Sequence, residues 1–172
     1  DNKARIILDK FTFPNIRENS EQALPDSAVS NIRVNVMLYR YRDRFPDDER
    51  KLWPWQKSLQ IEFYDGEYGQ ESELKWLPGE GICGTSFSSN KIVVKSLDFQ
   101  NKEEWGMTKS QFGLTDQIGS VVSIPIYVDE DEEKDSPIGV LNLDTKEEVD
   151  QERLQELGKE LRVYTKYIGA LL

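Results

Sequence analysis

Alternation of apolar residues with polar or other residues constrains the fold most, because a period of two is typical of a strand with one buried face. Ile32, Val34, Val36 and Leu38 alternate with a second set made of Arg33, Asn35, Met37 and Tyr39. Residues 31–41 are therefore predicted to form a half-buried strand. Residues 58–64 alternate again and end at the turn residues Asp65-Gly66, which predicts a second, antiparallel strand.

Later segments extend the predicted sheet. Residues 120–128 and 137–144 are expected to pair as a hairpin around the acidic residues 129–135. Shorter strands are predicted at 73–77 and 91–97, separated by a glycine-started helical turn at 79–88. The acidic loop could bind a cation, although a solvated loop that discourages edge-to-edge association is the simpler interpretation.

The N-terminal residues are predicted to be a helix followed by a connector. Ala4, Ile7, Leu8 and Phe11 have helical spacing, so residues 3–11 are predicted to be the tail of an amphipathic helix. Residues 14–30 are polar and contain two prolines, which favours a connector.

Residues 99–118 show no clean period and are long enough to be a lid or binding loop. This order predicts an α+β fold on one sheet.

The last segment, residues 150–172, predicts a long helix that begins at an N-capping aspartate. Its apolar residues follow alternating spacings of three and four, as in a heptad seam: Leu154, Leu157, Leu161, Tyr164 and Ile168. Such a seam could cover the sheet of its own chain, or it could form a helical homodimer contact. The sequence leaves both alternatives open.

Composition excludes several classes of function. A chain of 172 residues fits one domain, and its formal charge of −10 disfavours nucleic-acid binding. The chain has no His and one Cys, which removes the commonest metal ligand and general base and any internal disulfide. We therefore predict no metal, no cofactor and no enzymatic activity.

The cellular location of the protein is predicted from its hydropathy, its N-terminal residues and its cysteine content. No apolar run approaches the length of a membrane span, and no signal peptide is visible. A single cysteine fits a reducing, cytoplasmic setting. Because the chain opens with Asp1, we expect a segment of a longer protein, whose output domain or membrane anchor would lie outside these residues.

Four motifs follow one another along the chain: Gly79-Glu80-Gly81-Ile82-Cys83-Gly84, Val93-Val94 with Asp98, the strand 120–126, and Ile138-Gly139-Val140-Leu141-Asn142-Leu143-Asp144 before the terminal helix. In this order they resemble a GAF domain, the small-molecule sensing module of phosphodiesterases, phytochromes and bacterial regulators. The resemblance covers about residues 31–172 and leaves 1–30 as helix tail and connector. It implies an antiparallel sheet of about six strands, with terminal helices on one face and a loop-covered pocket on the other.

The glycine segment also resembles that of the free methionine sulfoxide reductases, which are catalytic GAF domains. The position of their attacking cysteine falls near Leu114 here, and Cys83 is the only cysteine. A thiol-dependent reductase is therefore the least favoured interpretation, and Cys83 is expected to be a small core residue. The Asn-Lys pattern of cyclic-nucleotide-binding GAF domains is missing at its expected place after the last strand.

Candidate ligand-binding residues combine aromatic walls with a few polar groups. We predict a site formed by Trp76, Phe87, Asp98, Trp105, Phe112, Asp116 and Ser123. The two aspartates could bind an amine or the edge of a base. The favoured function is a regulatory sensor that binds a metabolite or nucleotide and signals through its terminal helices. The alternative is a dimerisation module without a ligand.

Overall fold

The structure, a computed structural model, describes residues 2–41, 56–96, 105–128 and 136–172. The helices are α1 (Asn2–Ile7), α2 (Phe13–Ala23), α3 (Asp26–Val29), α4 (Gly81–Ser89), α5 (Lys109–Leu114) and α6 (Gln151–Leu171). The strands are β1 (Arg33–Tyr41), β2 (Lys57–Asp65), β3 (Lys75–Trp76), β4 (Val93–Ser96), β5 (Ser120–Ile126) and β6 (Gly139–Thr145). A π-helical turn (Leu8–Thr12) joins α1 to α2, and a 3₁₀ helix (Gly69–Glu73) precedes β3.

The strands form one six-stranded sheet in the order β3-β2-β1-β6-β5-β4. Every neighbouring pair is antiparallel, and β5 pairs with β6 as the predicted hairpin. The expected α+β class, with helices packed on a central antiparallel sheet, is therefore confirmed. The sheet separates an outer layer of terminal helices from a second layer that contains α4 and α5.

The terminal helices cover one face of the sheet. Ile32, Val34, Val36 and Leu38 lie in a large apolar core with side chains of α6 and of the N-terminal helices. Two glycines let α6 approach closely: an added Cβ at Gly158 would lie 2.8 Å from Ile92 Cγ2, and one at Gly169 would lie 1.8 Å from the carbonyl oxygen of Tyr127. The helix backbone therefore rests directly on the end of β5.

The N-terminal region differs from the prediction. Residues 14–30 are not a polar connector, because they contain α2 and α3. Pro14 lies in the first turn of α2, directly after the π-helical turn. The buried face is also different, since Ile7 and Phe11 are exposed while Leu8 and Ile16 are fully buried. The π-helical turn contains one extra residue per turn and rotates the apolar stripe.

A β-bulge divides β2 between the two faces of the sheet. Val36 pairs with Phe63, and the next residue, Met37, pairs with Ile61, so that Glu62 is the extra residue. Phe63 therefore packs in the core beneath the terminal helices, whereas Ile61 packs on the opposite face. Simple alternation along 58–64 would have placed both side chains on one face.

Some predictions fall outside the described residues, namely those for the acidic loop 129–135 and for Asp98. No described helix combines the length and apolar character that a membrane crossing requires. Residues 99–104 of the predicted lid are likewise outside the described residues. The rest of the predicted lid is helical in part, because α5 begins at Lys109, after the N-cap Thr108, which forms a capping box with Gln111.

Candidate functional site

The face of the sheet opposite the terminal helices carries a row of buried polar side chains. Asn35 on β1 is directly opposite Asn142 on β6, which is in turn opposite Ser123 on β5. Ser123 Oγ donates to Asn142 Oδ1, and Asn142 Nδ2 donates to Asn35 Oδ1 at 2.9 Å. Asn35 Nδ2 then donates to the hydroxyl of Tyr68 at 3.1 Å. We call these four side chains the polar row.

A charged cluster lies two residues further along the same strands. Arg33 on β1 is opposite Asp144 on β6 and donates to it, with 2.6 Å between Nε and Oδ1. The other end of the guanidinium binds both carboxylate oxygens of Glu71, at 3.0 and 2.9 Å. Its Cζ lies 4.5 Å from the centroid of the Tyr68 ring. Arg33, Glu71 and Asp144 together form what we call the charged cluster.

Burial changes the acidity of the cluster. Asp144 is 5% exposed, and burial raises its pKa to about 6, although the charge of Arg33 opposes the rise. A hydrogen bond from Tyr68 also favours the ionised carboxylate, whereas the nearby charge of Glu71 favours the protonated form. Asp144 is therefore an ionised but destabilised carboxylate near neutral pH.

The polar row and the charged cluster lie at a cavity of about 90 Å³ between the sheet and the second layer. This space is enough for a few water molecules or one small organic molecule. Most of its wall is apolar, and the lining residues are Asn35, Met37, Ile61, Tyr68, Glu71, Leu74, Trp76, Gly81, Ile82, Cys83, Trp105, Met107, Thr115, Ile118, Val121, Asn142 and Asp144. An apolar cavity with a few polar groups has the composition of a ligand pocket.

The glycine segment shapes one wall of this cavity. Gly81 has φ +62° and an added Cβ would lie 2.7 Å from the indole ring of Trp76. At Gly84 an added Cβ would lie 2.3 Å from the carbonyl oxygen of Leu77. Both positions exclude larger residues, so the glycines allow α4 to start tightly against β3.

Cys83 lies on α4 with its side chain buried. Burial raises the pKa of its thiol to about 12, which keeps the thiol protonated at neutral pH. Trp76 forms part of the same wall and is 6% exposed. Its Nε1 is the one fully buried side-chain nitrogen or oxygen among the described residues that has no hydrogen-bond partner.

The predicted site residues have different locations. Trp76 and Trp105 line the cavity, and Ser123 lies behind it as the first member of the polar row. Phe87 packs against Tyr39 with 4.7 Å between ring centroids and does not line the cavity. Phe112 and Asp116 are exposed on or beside α5, away from the cavity lining, because the predicted loop is partly helical.

The sequence analysis did not predict that polar side chains of the sheet form the floor of the cavity. A half-buried strand at residues 31–41 would leave Arg33 and Asn35 on its solvent face, and that prediction is wrong, because both faces of the first part of β1 are covered. The available indication was a pair of polar residues two apart in each of two strands, Arg33 with Asn35 and Asn142 with Asp144. Antiparallel pairing brings the two pairs together.

The predicted dimer seam packs inside the chain. Leu154, Leu157, Leu161 and Ile168 are fully buried against the sheet, and Tyr164 is partly buried. These side chains cover their own sheet and are not exposed to a second copy. A homodimer through the terminal helices stays a prediction, and it would have to use the outer surface of α6, where Val163 and Tyr167 are exposed.

The Cys, Asp and Glu side chains are the candidate ligands for a metal ion in this chain, which has no His. Across residues 2–41, 56–96, 105–128 and 136–172, no three side chains of Cys, Asp or Glu are arranged to hold a metal ion. The carboxylates of the charged cluster are used by Arg33, and the only thiol in the sequence is protonated. What the described residues do form is a mostly apolar cavity with a few polar groups in its wall.

Comparisons with known proteins concern the fold. No family model and no curated protein sequence matches the chain. Among solved structures, it is similar to the GAF domain region of a Geobacter sulfurreducens PCA protein, with 19% identity, a TM-score of 0.55, and coverage of 95% of this chain and 91% of that one.

Two further structures have comparable similarity. The GAF domain of an Acinetobacter phosphoenolpyruvate-protein phosphotransferase has 12% identity and a TM-score of 0.52, covering 94% of this chain and 93% of that one. The free methionine-R-sulfoxide reductase of Neisseria meningitidis, solved with its substrate, has 16% identity and a TM-score of 0.50, covering 92% and 86%. The chain therefore has a GAF-like fold.

Proposed function

We propose that this domain is a regulatory sensor, which binds a small molecule in the cavity and signals through its terminal helices. The polar floor of the cavity is the observation that supports the proposal. Buried polar groups cost free energy unless every one is satisfied, and an apolar floor would stabilise the sheet more simply. Asn35, Asn142 and Asp144 nevertheless line a cavity whose remaining wall is mostly apolar.

The sheet offers a route from the cavity to the helices. Val121 lines the cavity, and the next residue, Val122, is buried on the opposite face in the core beneath α6. An added Cβ at Gly158 of α6 would lie 3.2 Å from Val122 Cγ1, so helix and strand are in close contact. A ligand that moves β5 would therefore move the surface on which α6 rests.

Catalysis through Cys83 is the less favoured alternative. The thiol is buried and protonated at neutral pH, and a reactive cysteine needs an accessible thiolate. A similar fold in a methionine sulfoxide reductase does not supply the second cysteine that such chemistry uses, since position 114 is Leu. Turnover of methionine sulfoxide that disappears in Cys83→Ser would overturn this preference.

A thermal-shift screen against a panel of metabolites and nucleotides tests the sensor proposal. A ligand at roughly 100 times its Kd would stabilise the domain by about 2.7 kcal/mol, which corresponds to about 5–10 °C for a domain of this size. Ile61→Trp would fill the cavity from a partly buried position in its wall and should abolish the shift. Ile6→Trp, on the exposed surface of α1, is the matched control and should leave the shift unchanged.

Two outcomes would contradict the proposal. In the first, no compound in a broad panel stabilises the protein. In the second, a compound stabilises wild type and Ile61→Trp equally, which would place its binding outside the cavity.

A further inference from the structure

The charge balance of the charged cluster indicates what kind of ligand the cavity accepts. Glu71 and Asp144 line the cavity, and their side chains are only 16% and 7% exposed. Arg33 is the one cation bonded to both, and its own side chain is 12% exposed. Two carboxylates therefore share one guanidinium, and the cluster has one excess negative charge when both are ionised.

All three nitrogens of the Arg33 guanidinium have bonded partners. Its Nε binds Asp144, and both terminal nitrogens bind Glu71, while a terminal nitrogen additionally donates to the carbonyl oxygen of Glu67. The guanidinium does not line the cavity. A ligand in the cavity therefore meets the carboxylates and not the cation that holds them.

The described lining contains no other charge. Its charged side chains are both acids, and neither Lys nor Arg is present among the described residues that line the cavity. Lys95 Nζ lies 5.2 Å from the centroid of the Trp105 ring, but Lys95 itself does not contribute to the cavity wall. A buried negative charge without a full counter-charge is unfavourable, and either a proton or a cation can balance it. The raised pKa of Asp144 is consistent with this deficit.

The apolar part of the lining suits the body of a small organic molecule. Trp76, Trp105, Met37 and Met107 offer polarisable surfaces. Aromatic faces attract alkylammonium groups, and Met side chains pack adaptably around an apolar body. An inorganic cation would lack contacts with these walls. An anion would meet two carboxylates in the wall of the cavity.

We propose that the cavity selects a small organic cation, an ammonium group on a compact apolar body, with the ammonium seated against Asp144 and Glu71. This inference rests on the proposed sensor function and specifies the ligand class of the same site. The cation supplies the missing positive charge, and Arg33 positions the two carboxylates that receive it.

Three probes with one carbon chain and different charges test the proposal: butylammonium, 1-butanol and butyrate. Each is titrated into the whole 172-residue protein at constant ionic strength and pH 7.5, and Kd is measured from the NMR signals of the Trp76 and Trp105 indole N–H groups. We expect butylammonium to bind about tenfold or more tightly than butanol, and butyrate to bind more weakly than butanol.

Charge-removing variants locate the binding group. Asp144→Asn and Glu71→Gln should each weaken butylammonium binding by about tenfold or more and change butanol binding by less than about twofold. Asp116→Asn is the matched control, because this exposed aspartate does not line the cavity, and it should change neither Kd. If Asp144→Asn does not fold, Glu71→Gln and the three probes on wild type still decide the question.

Several outcomes would contradict the proposed ligand class. The inference is overturned if butyrate or butanol binds as tightly as butylammonium, or if neither cluster variant affects butylammonium. It is likewise overturned if none of the probes binds. A metabolite without a cation that stabilises wild type but not Ile61→Trp would overturn this inference and leave the sensor proposal standing. Failure of the whole panel would overturn the sensor proposal itself.

Discussion

The two faces of the sheet are built from alternate residues of the same strands, yet they differ in kind. Beneath the terminal helices, Val34 and Leu143 belong to a continuous apolar core. On the opposite face their neighbours Arg33, Asn142 and Asp144 are polar or charged and are also largely enclosed. One face is therefore closely packed with apolar side chains, while the other buries polar groups around a cavity at a cost in folding free energy. Substitutions on the two faces should therefore fail in different ways.

The largest effect is expected on the helix-covered face. Leu161→Ala removes a fully buried side chain of α6 and should lower the free energy of unfolding by about 3–4 kcal/mol through lost burial and a residual cavity. Tyr167→Ala, on the exposed side of the same helix, is the control and should change it by less than about 0.5 kcal/mol. Urea unfolding measures both, and equal losses would show that α6 does not pack through this seam.

A pH-dependent effect of intermediate size is expected on the cavity face. The pKa of Asp144 is about 6 when folded and about 3.9 when unfolded, so the folded state holds this proton more tightly. Arg33, Glu71 and Tyr68 face the carboxyl group, and their influence is already included in its folded pKa. The free energy of unfolding should therefore rise, for this group alone, as the pH falls from 7 to 4.

The measurement is the difference between wild type and Asp144→Asn. Relative to the variant, wild type should gain about 2 kcal/mol between pH 7 and pH 4, with most of the change below pH 6. A wild type that instead loses stability relative to the variant over this range would mean that Arg33 lowers the pKa of Asp144 more than burial raises it.

The smallest of the three effects is expected in the polar row. Ser123→Ala removes the hydroxyl that donates to Asn142 Oδ1 and leaves that oxygen buried without this donor, at a cost of about 1–2 kcal/mol. Ser88→Ala is a matched control on α4, because the Ser88 hydroxyl is exposed. Chemical denaturation of both variants gives the result. Equal stabilities would show that water replaces the lost donor and that the polar row is already hydrated.

Much of the fold could be predicted from the sequence. Period-two alternation located β1 and β2, and the late apolar segments located the hairpin of β5 and β6. The spacing of Leu154 to Ile168 predicted a helix, but spacing alone cannot distinguish a partner chain from the chain's own sheet. Three-dimensional packing decides that question, and here it places the seam against β4 and β5.

The site was less predictable for a physical reason. Alternation identifies which side chains share a face, but it does not reveal whether the polar face is wet or covered. Asn35 and Asn142 became cavity residues because α4 and residues 105–118 cover them, and that layer has little periodicity of its own. Likewise, Glu62 gives no sign in the sequence that it forms a bulge and moves Phe63 to the other face.

The contact between Gly169 and Tyr127 has a mechanical consequence. Side chains usually separate the backbone of a helix from that of a strand, whereas a glycine lets the two backbones approach closely. At Gly169 the helix backbone touches the Tyr127 carbonyl with nothing compressible between them. A shift of a few tenths of an ångström at the end of β5 would therefore displace the C-terminal turn of α6 by a similar amount. At this contact, movement of the sheet is transmitted directly to the helix backbone.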